Sequence, residues 1–148
     1  MAGHKWPDEV RHDVARIVRD GNRQIWLSDT VTDPERAATD ERYALGFLAG
    51  VKDGVRITGE ALENLARGLY GNAEKSEDEG DTVKGTHLYE EADHLAALGG
   101  DLAEWDPGID GLPERESKEQ LSAFELRMKR WIDQMSGEAT SAICDVLS

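Results

Sequence analysis

Between Leu121 and Val146 the residues Leu121, Phe124, Met128, Trp131, Met135, Ala139, Ala142 and Val146 recur at intervals of 3-4-3-4-4-3-4. A strand would scatter that set over both of its faces, whereas an α-helix gathers it into one stripe. Ile132 and Ile143 widen the stripe, and Ser117 with Gln120 three residues later has the form of a capping box. The spacing therefore predicts a helix over about 117–147, the longest in the chain, with a kink or division at Ser136-Gly137. Its inward face needs partners, and the rest of the sequence offers further helices.

Pro7-Asp8-Glu9 opens one, since proline tolerates the first turn and acids there complement the helix dipole. Val10, Val14, Ile17 and Val18 follow at helical spacing, with an end expected near Asp20-Gly21-Asn22. The stretch 24–31 (Ile25, Trp26, Leu27) either extends this helix or forms a short buried connector. Asp33-Pro34-Glu35 opens a second helix, capped by Asp33, with Ala44, Leu48 and Val51 on its stripe and Tyr43 and Phe47 beside it. Gly46, Gly50 and Gly54 recur every four residues. They mark either close approach by another backbone or, as the reading favoured here, a helix end near Lys52-Asp53-Gly54.

A third helix is expected over about 59–69, carrying Leu62, Leu65, Ala66 and Leu69 and stopping at Gly71-Asn72. The acidic stretch 73–85 offers almost nothing to bury and reads as a mobile loop. A fourth helix begins near Thr86, turns Leu88, Ala92, Leu95 and Leu98 inward and ends at Gly99-Gly100. Leu102 and Trp105 suit a short helical turn before the irregular connection from Asp106 to Pro113. No internal repeat is present. The fold expected is all-α: one domain over 1–148, an irregular bundle of about five helices with a long C-terminal helix.

With no apolar run near the roughly 20 residues that span a bilayer, and no signal-like stretch after Met1, a cytoplasmic protein is expected. Cys144 is the only cysteine and excludes an internal disulfide; its place in the stripe suits a small core residue. The chain carries a net charge of −14, unevenly distributed. Residues 1–27 hold five Lys or Arg against four acids, whereas 72–116 hold fourteen acids against Lys75, Lys84 and Arg115. Such polarity can orient a partner, although solubility or salt adaptation explains it equally well.

His87, Glu91 and His94 fall at i, i+4 and i+7 on one helix face, and Glu91-x-x-His94 and Glu9-x-x-His12 both have the spacing used in helical di-iron sites. Surface charge accounts for them more simply, because acids are abundant and Leu88, Ala92 and Leu95 define a different, core-facing side. The pairs Asp78/Asp81 and Asp106/Asp110 lack the spacing of a calcium loop. Gly54 to Gly59 lacks the lysine of a phosphate loop, and no nucleophile elbow is present. No metal, cofactor or catalytic residue is assigned.

Binding residues are better marked. Arg16 and Arg19 share a face with His12, and Arg23 joins them if the first helix passes Gly21; Arg127, Lys129 and Arg130 form a second cationic cluster. Either could meet phosphates or, equally, the chain's own acids. Of the four tryptophans, Trp6 lies in the most exposed-looking position and suits an interface anchor. The leading expectation is a non-catalytic helical subunit or adaptor docking on a protein partner or a larger assembly. Small helical subunits of nucleoprotein machines, including CRISPR effector complexes, have this size and class; the parallel is one of fold level and rests on no shared motif. The alternatives are an acidic, nucleic-acid-mimicking inhibitor of a basic protein and a metal-dependent helical-bundle enzyme.

Overall fold

The computed structural model describes residues 6–148; the reading of the extreme N-terminus rests partly on residues outside that range. The described residues form five helices and no strand: α1 (Asp8–Val31), α2 (Pro34–Thr39), α3 (Glu41–Asp78), α4 (Thr82–Ala103) and α5 (Leu121–Cys144). A 3₁₀ turn, Asp145–Leu147, follows α5. The all-α class and the long C-terminal helix agree with the sequence, but the longest helix is α3, with 38 residues against 24 in α5. No helix among the described residues is long and apolar enough to cross a membrane.

The largest departure is at 73–85, where a loop was expected. Those residues are the end of α3, a turn over Glu79, Gly80 and Asp81, and the start of α4. Ala73, Ser76 and Gly85 are buried while the acids around them face outward. The turn closes as a Schellman motif: Asp81 N donates to Ser76 O (2.8 Å) and Gly80 N to Glu77 O (2.9 Å). Gly80 takes φ +85°, a left-handed conformation that side-chained residues rarely adopt. Asp81 then caps α4, its Oδ1 accepting from Lys84 N at 3.0 Å.

The glycines expected to end helices, Gly21, Gly54, Gly71, Gly99 and Gly100, all lie inside them, and packing explains three of these, together with Gly59, where a helix was expected to begin. At Gly59 an added Cβ would lie 2.6 Å from Gly99 O, and at Gly99 one would lie 2.6 Å from Gly59 O. The antiparallel pair α3 and α4 therefore crosses backbone to backbone at this point. At Gly21 a Cβ would sit 2.3 Å from Thr58 Oγ1, and at Gly54 one would sit 2.8 Å from Ile25 Cδ1. These two notches seat α1 on α3, so α1 runs unbroken to Val31 and brings Arg23 into line. Gly46 has open space around it and Gly50 meets only Ser28 Oγ at 3.8 Å, so Gly46, Gly50 and Gly54 do not form one ridge.

Two boundaries move for reasons of capping. The second expected helix divides at Asp40: Asp33 caps α2 by accepting from Glu35 N, and Asp40 caps α3 by accepting from Arg42 N. Ser117 and Gln120 form no capping box, since Ser117 lies in a turn and α5 begins at Leu121 without a side-chain cap. The core runs through all five helices. It includes Val10, Val14 and Ile25 of α1, Val51, Val55 and Leu62 of α3, Leu95 of α4, and Trp131, Ile132 and Ile143 of α5. Trp131 meets Phe47 edge-on at 5.8 Å.

Candidate functional site

α1 packs on α3 through Gly21 and on α5 through residues one quarter-turn round. Asn22 Nδ2 lies 3.1 Å from Cys144 Sγ. Asp29 lies close enough to Lys129 and Asp133 of α5 to feel both charges. Burial first, and then the neighbouring Asp133, push the Asp29 carboxyl above its usual value, with Lys129 acting in the opposite direction. Trp26 stands between Asn22 and Asp29 along α1, so it occupies the outer flank where the two helices meet. It is 63% exposed.

Arg16, Arg19 and Arg23 lie on the same outward side of α1, opposite the Gly21 notch, and all three are exposed. Arg16 pairs with Asp13 at 3.1 Å. Lys129 and Arg130 are exposed on α5, with Lys129 beside Asp29. Five of the six cations singled out in the sequence thus lie exposed on two adjoining helices, and α1 also carries the exposed Trp26. The acids Asp13, Asp20, Asp29 and Asp133 are interleaved with them, so the face is mixed in sign rather than a basic track.

Arg127 has a different place. Its Nη1 bonds Glu119 Oε1 at 2.7 Å and Glu114 O at 3.1 Å, clasping the segment before α5 to that helix. Arg115 Nε donates to Glu119 O within the same segment. This strap, residues 104–120, is tied at its other end by Lys52, 3.3 Å from Asp106. The Gly108 amide and, secondarily, Lys52 hold the Asp106 carboxyl below its usual value.

Trp6, expected at an exposed interface, is buried instead. Its Nε1 donates to Val146 O at 3.3 Å and its ring lies 5.1 Å from that of His94, joining the start of the chain to its end. Cys144 is exposed rather than in the core. Leu121 is 37% exposed and stands apart from the buried stripe of α5. The three residues considered for metal fall in different surroundings: His87 is exposed, Glu91 is buried, and His94 is half-buried against Trp6. Among the described residues no group of three His, Cys, Asp or Glu is arranged to hold a metal ion. Asp81 serves as a helix cap and Asp106 as an ion-pair partner of Lys52.

Trp26 is the functional candidate that the sequence underplayed. Four positions after Asn22 and three before Asp29, it falls on the outer flank only if α1 continues through Gly21. Comparison with protein-family models, with curated proteins and with solved structures returns no match.

Proposed function

We propose that this chain is a non-catalytic helical interaction protein, a small subunit or adaptor of a larger assembly, that docks through the outer face of α1 and α5. The observation that carries the reading is Trp26, 63% exposed on an ordered helix and set in line with Arg19 and Arg23. A tryptophan left in water forgoes one of the largest burial gains open to any side chain. Tryptophan and arginine are also the residues that most often dominate binding energy at protein interfaces. The interleaved acids favour a protein partner over nucleic acid, because a phosphate backbone would meet carboxylates as often as guanidinium groups. The net charge of −14 adds a long-range repulsion of the same sign.

The test compares wild type with Trp26→Ala and with Arg19→Glu/Arg23→Glu in quantitative recovery of partners from native lysate, over a range of salt. Loss of a hot-spot tryptophan costs about 2 kcal/mol or more, a fall in affinity of roughly thirtyfold, while the folded chain keeps its melting temperature. Added salt should weaken the arginine contribution. Equal recovery by all three proteins at every salt concentration would refute the assignment.

A further inference from the structure

We propose a second docking site, independent of the α1–α5 face: a groove that receives a basic amphipathic segment of a protein partner. It lies between the strap, α2, the start of α3 and the start of α5, and has a volume of about 1030 Å³. Ala37, Ala44, Phe124 and Met128 lie beneath it, buried in the core, and leave almost no surface of their own in the groove. One wall is the strap, where Ile109 leaves 60% of its surface in water beside Leu112 and Pro113. The apolar surface that the groove offers is therefore that of the strap, with half-buried Ala38 of α2 also in the lining.

The rim decides the occupant. Glu41, Asp110, Glu114 and Glu116 line the groove, all exposed, against Arg115 and Arg127. Arg127 is already matched by Glu119, a carboxylate outside the lining, so the rim is negative. The whole molecule carries the same sign and would draw a cationic ligand toward it. A small molecule is a poorer fit, because the polar groups sit around the edge and do not converge on a point inside that would orient it. An exposed aliphatic strip beside a charged rim suits one face of an amphipathic helix. The occupant we infer presents aliphatic side chains to Ile109, Leu112 and Pro113 and lysines or arginines to the glutamates.

The probe is a synthetic leucine–lysine amphipathic peptide of about 14 residues, long enough to become helical when bound. It is titrated into the isotope-labelled full chain and followed by amide chemical shifts. Saturable shifts are expected over 37–44, 109–116 and 124–128. Glu41→Lys/Glu114→Lys/Glu116→Lys should weaken binding at least about tenfold, as should the leucine–glutamate peptide of the same pattern. Ile109→Ser, at an exposed position where folding is not at stake, should weaken it without altering charge. The Arg19→Glu/Arg23→Glu/Trp26→Ala protein should bind as wild type, which separates this site from the α1–α5 face. Shifts centred on other surfaces, equal binding of the two peptides, or indifference to Ile109→Ser would each overturn the proposal. Self-association through the groove residues, seen by sedimentation without peptide, would overturn it by making a second copy the occupant.

Discussion

Gly59→Ala is the substitution whose sign the helix crossing decides. In an open helical position, alanine for glycine stabilises by about 0.8–1 kcal/mol, because glycine loses more backbone freedom on folding. At Gly59 the new Cβ would stand 2.6 Å from Gly99 O and 3.0 Å from Ala103 N, with Leu102 Cβ at 3.1 Å. The closest contact falls about 0.8 Å short of the 3.4 Å at which ordinary contact begins, and the two nearest atoms are backbone. No rotamer change can relieve it. α3 and α4 must part, loosening the packing of Leu62, Leu95 and Leu102 around the crossing, and overpacking of this kind costs about 1–3 kcal/mol. Set against the gain in helix propensity, the steric cost leaves a net destabilisation of up to about 2 kcal/mol. In a domain near this size that lowers the melting temperature by about 2–4 °C per kcal/mol.

Gly46→Ala and Gly68→Ala supply the internal standard, since both lie in α3 with nothing within 4 Å of the added Cβ. Each should raise the melting temperature through the propensity gain alone. Gly99→Ala should fall, because its Cβ meets Gly59 O at 2.6 Å and Glu63 Cγ at 2.8 Å. The double variant Gly59→Ala/Gly99→Ala should cost less than its two singles combined, since one separation relieves both clashes. Thermal and urea unfolding followed by circular dichroism read all five variants. If Gly59→Ala is stabilising to the same degree as Gly46→Ala, the helices do not touch there and the crossing is wrong.

Trp131→Ala, at 4% exposure, should destabilise by about 3–5 kcal/mol and leave little folded protein in urea titrations. Arg127→Ala should release the strap, giving faster proteolysis within 104–120 with a global loss of only about 1 kcal/mol, because Glu119 loses its ion pair while α5 keeps its core. Asp29→Asn should stabilise slightly at neutral pH, by less than about 1 kcal/mol. The raised carboxyl pKa means that the folded state holds its proton more tightly than the unfolded state. The wild-type penalty is therefore present at neutral pH and disappears as pH falls through the window above 3.8, where the melting curves of the two proteins should converge.

The periodicity of α5 was legible because large apolar residues mark it. α3 has the same rhythm in Ala44, Leu48, Val51, Val55, Thr58, Leu62, Ala66, Leu69, Ala73 and Ser76, all buried. Between Val55 and Leu62 it passes through Thr58 and Gly59, and beyond Leu69 through Ala73 and Ser76, small residues that carry little hydrophobic signal, and acids surround its end. The small residues are there because α4 lies close: Gly59 faces Gly99, and Gly85 meets Glu77 and Ala73 O. A sequence scan for bulk therefore divides a helix at the positions where tertiary contact is tightest. Gly80-Asp81 was the available signal for the true turn, a left-handed stop followed by an N-cap.

The same limit governs the surfaces. Grouping Arg16 and Arg19 with Arg23 required only that α1 continue past Gly21, yet what permits that is Thr58, thirty-seven positions further along the chain. Trp26 and Trp131 are indistinguishable as residue types, and each neighbours an isoleucine, Ile25 and Ile132. One is exposed and the other buried because Trp131 faces the other helices while no described residue covers the outer flank of α1 at Trp26. Arg127 read as one of three equivalent cations on α5. The strap gives it Glu119 and the Glu114 carbonyl as partners, and neither follows from helical spacing, because the strap is irregular. Charge reversal separates these roles. Glu119→Arg should loosen the strap as Arg127→Ala does, and Arg127→Glu/Glu119→Arg should restore it, whereas Lys129→Glu and Arg130→Glu should leave proteolysis of the strap unchanged. Loosening by the last two would mean that all three cations serve the same contact and that the distinction drawn from the ion-pair geometry is wrong.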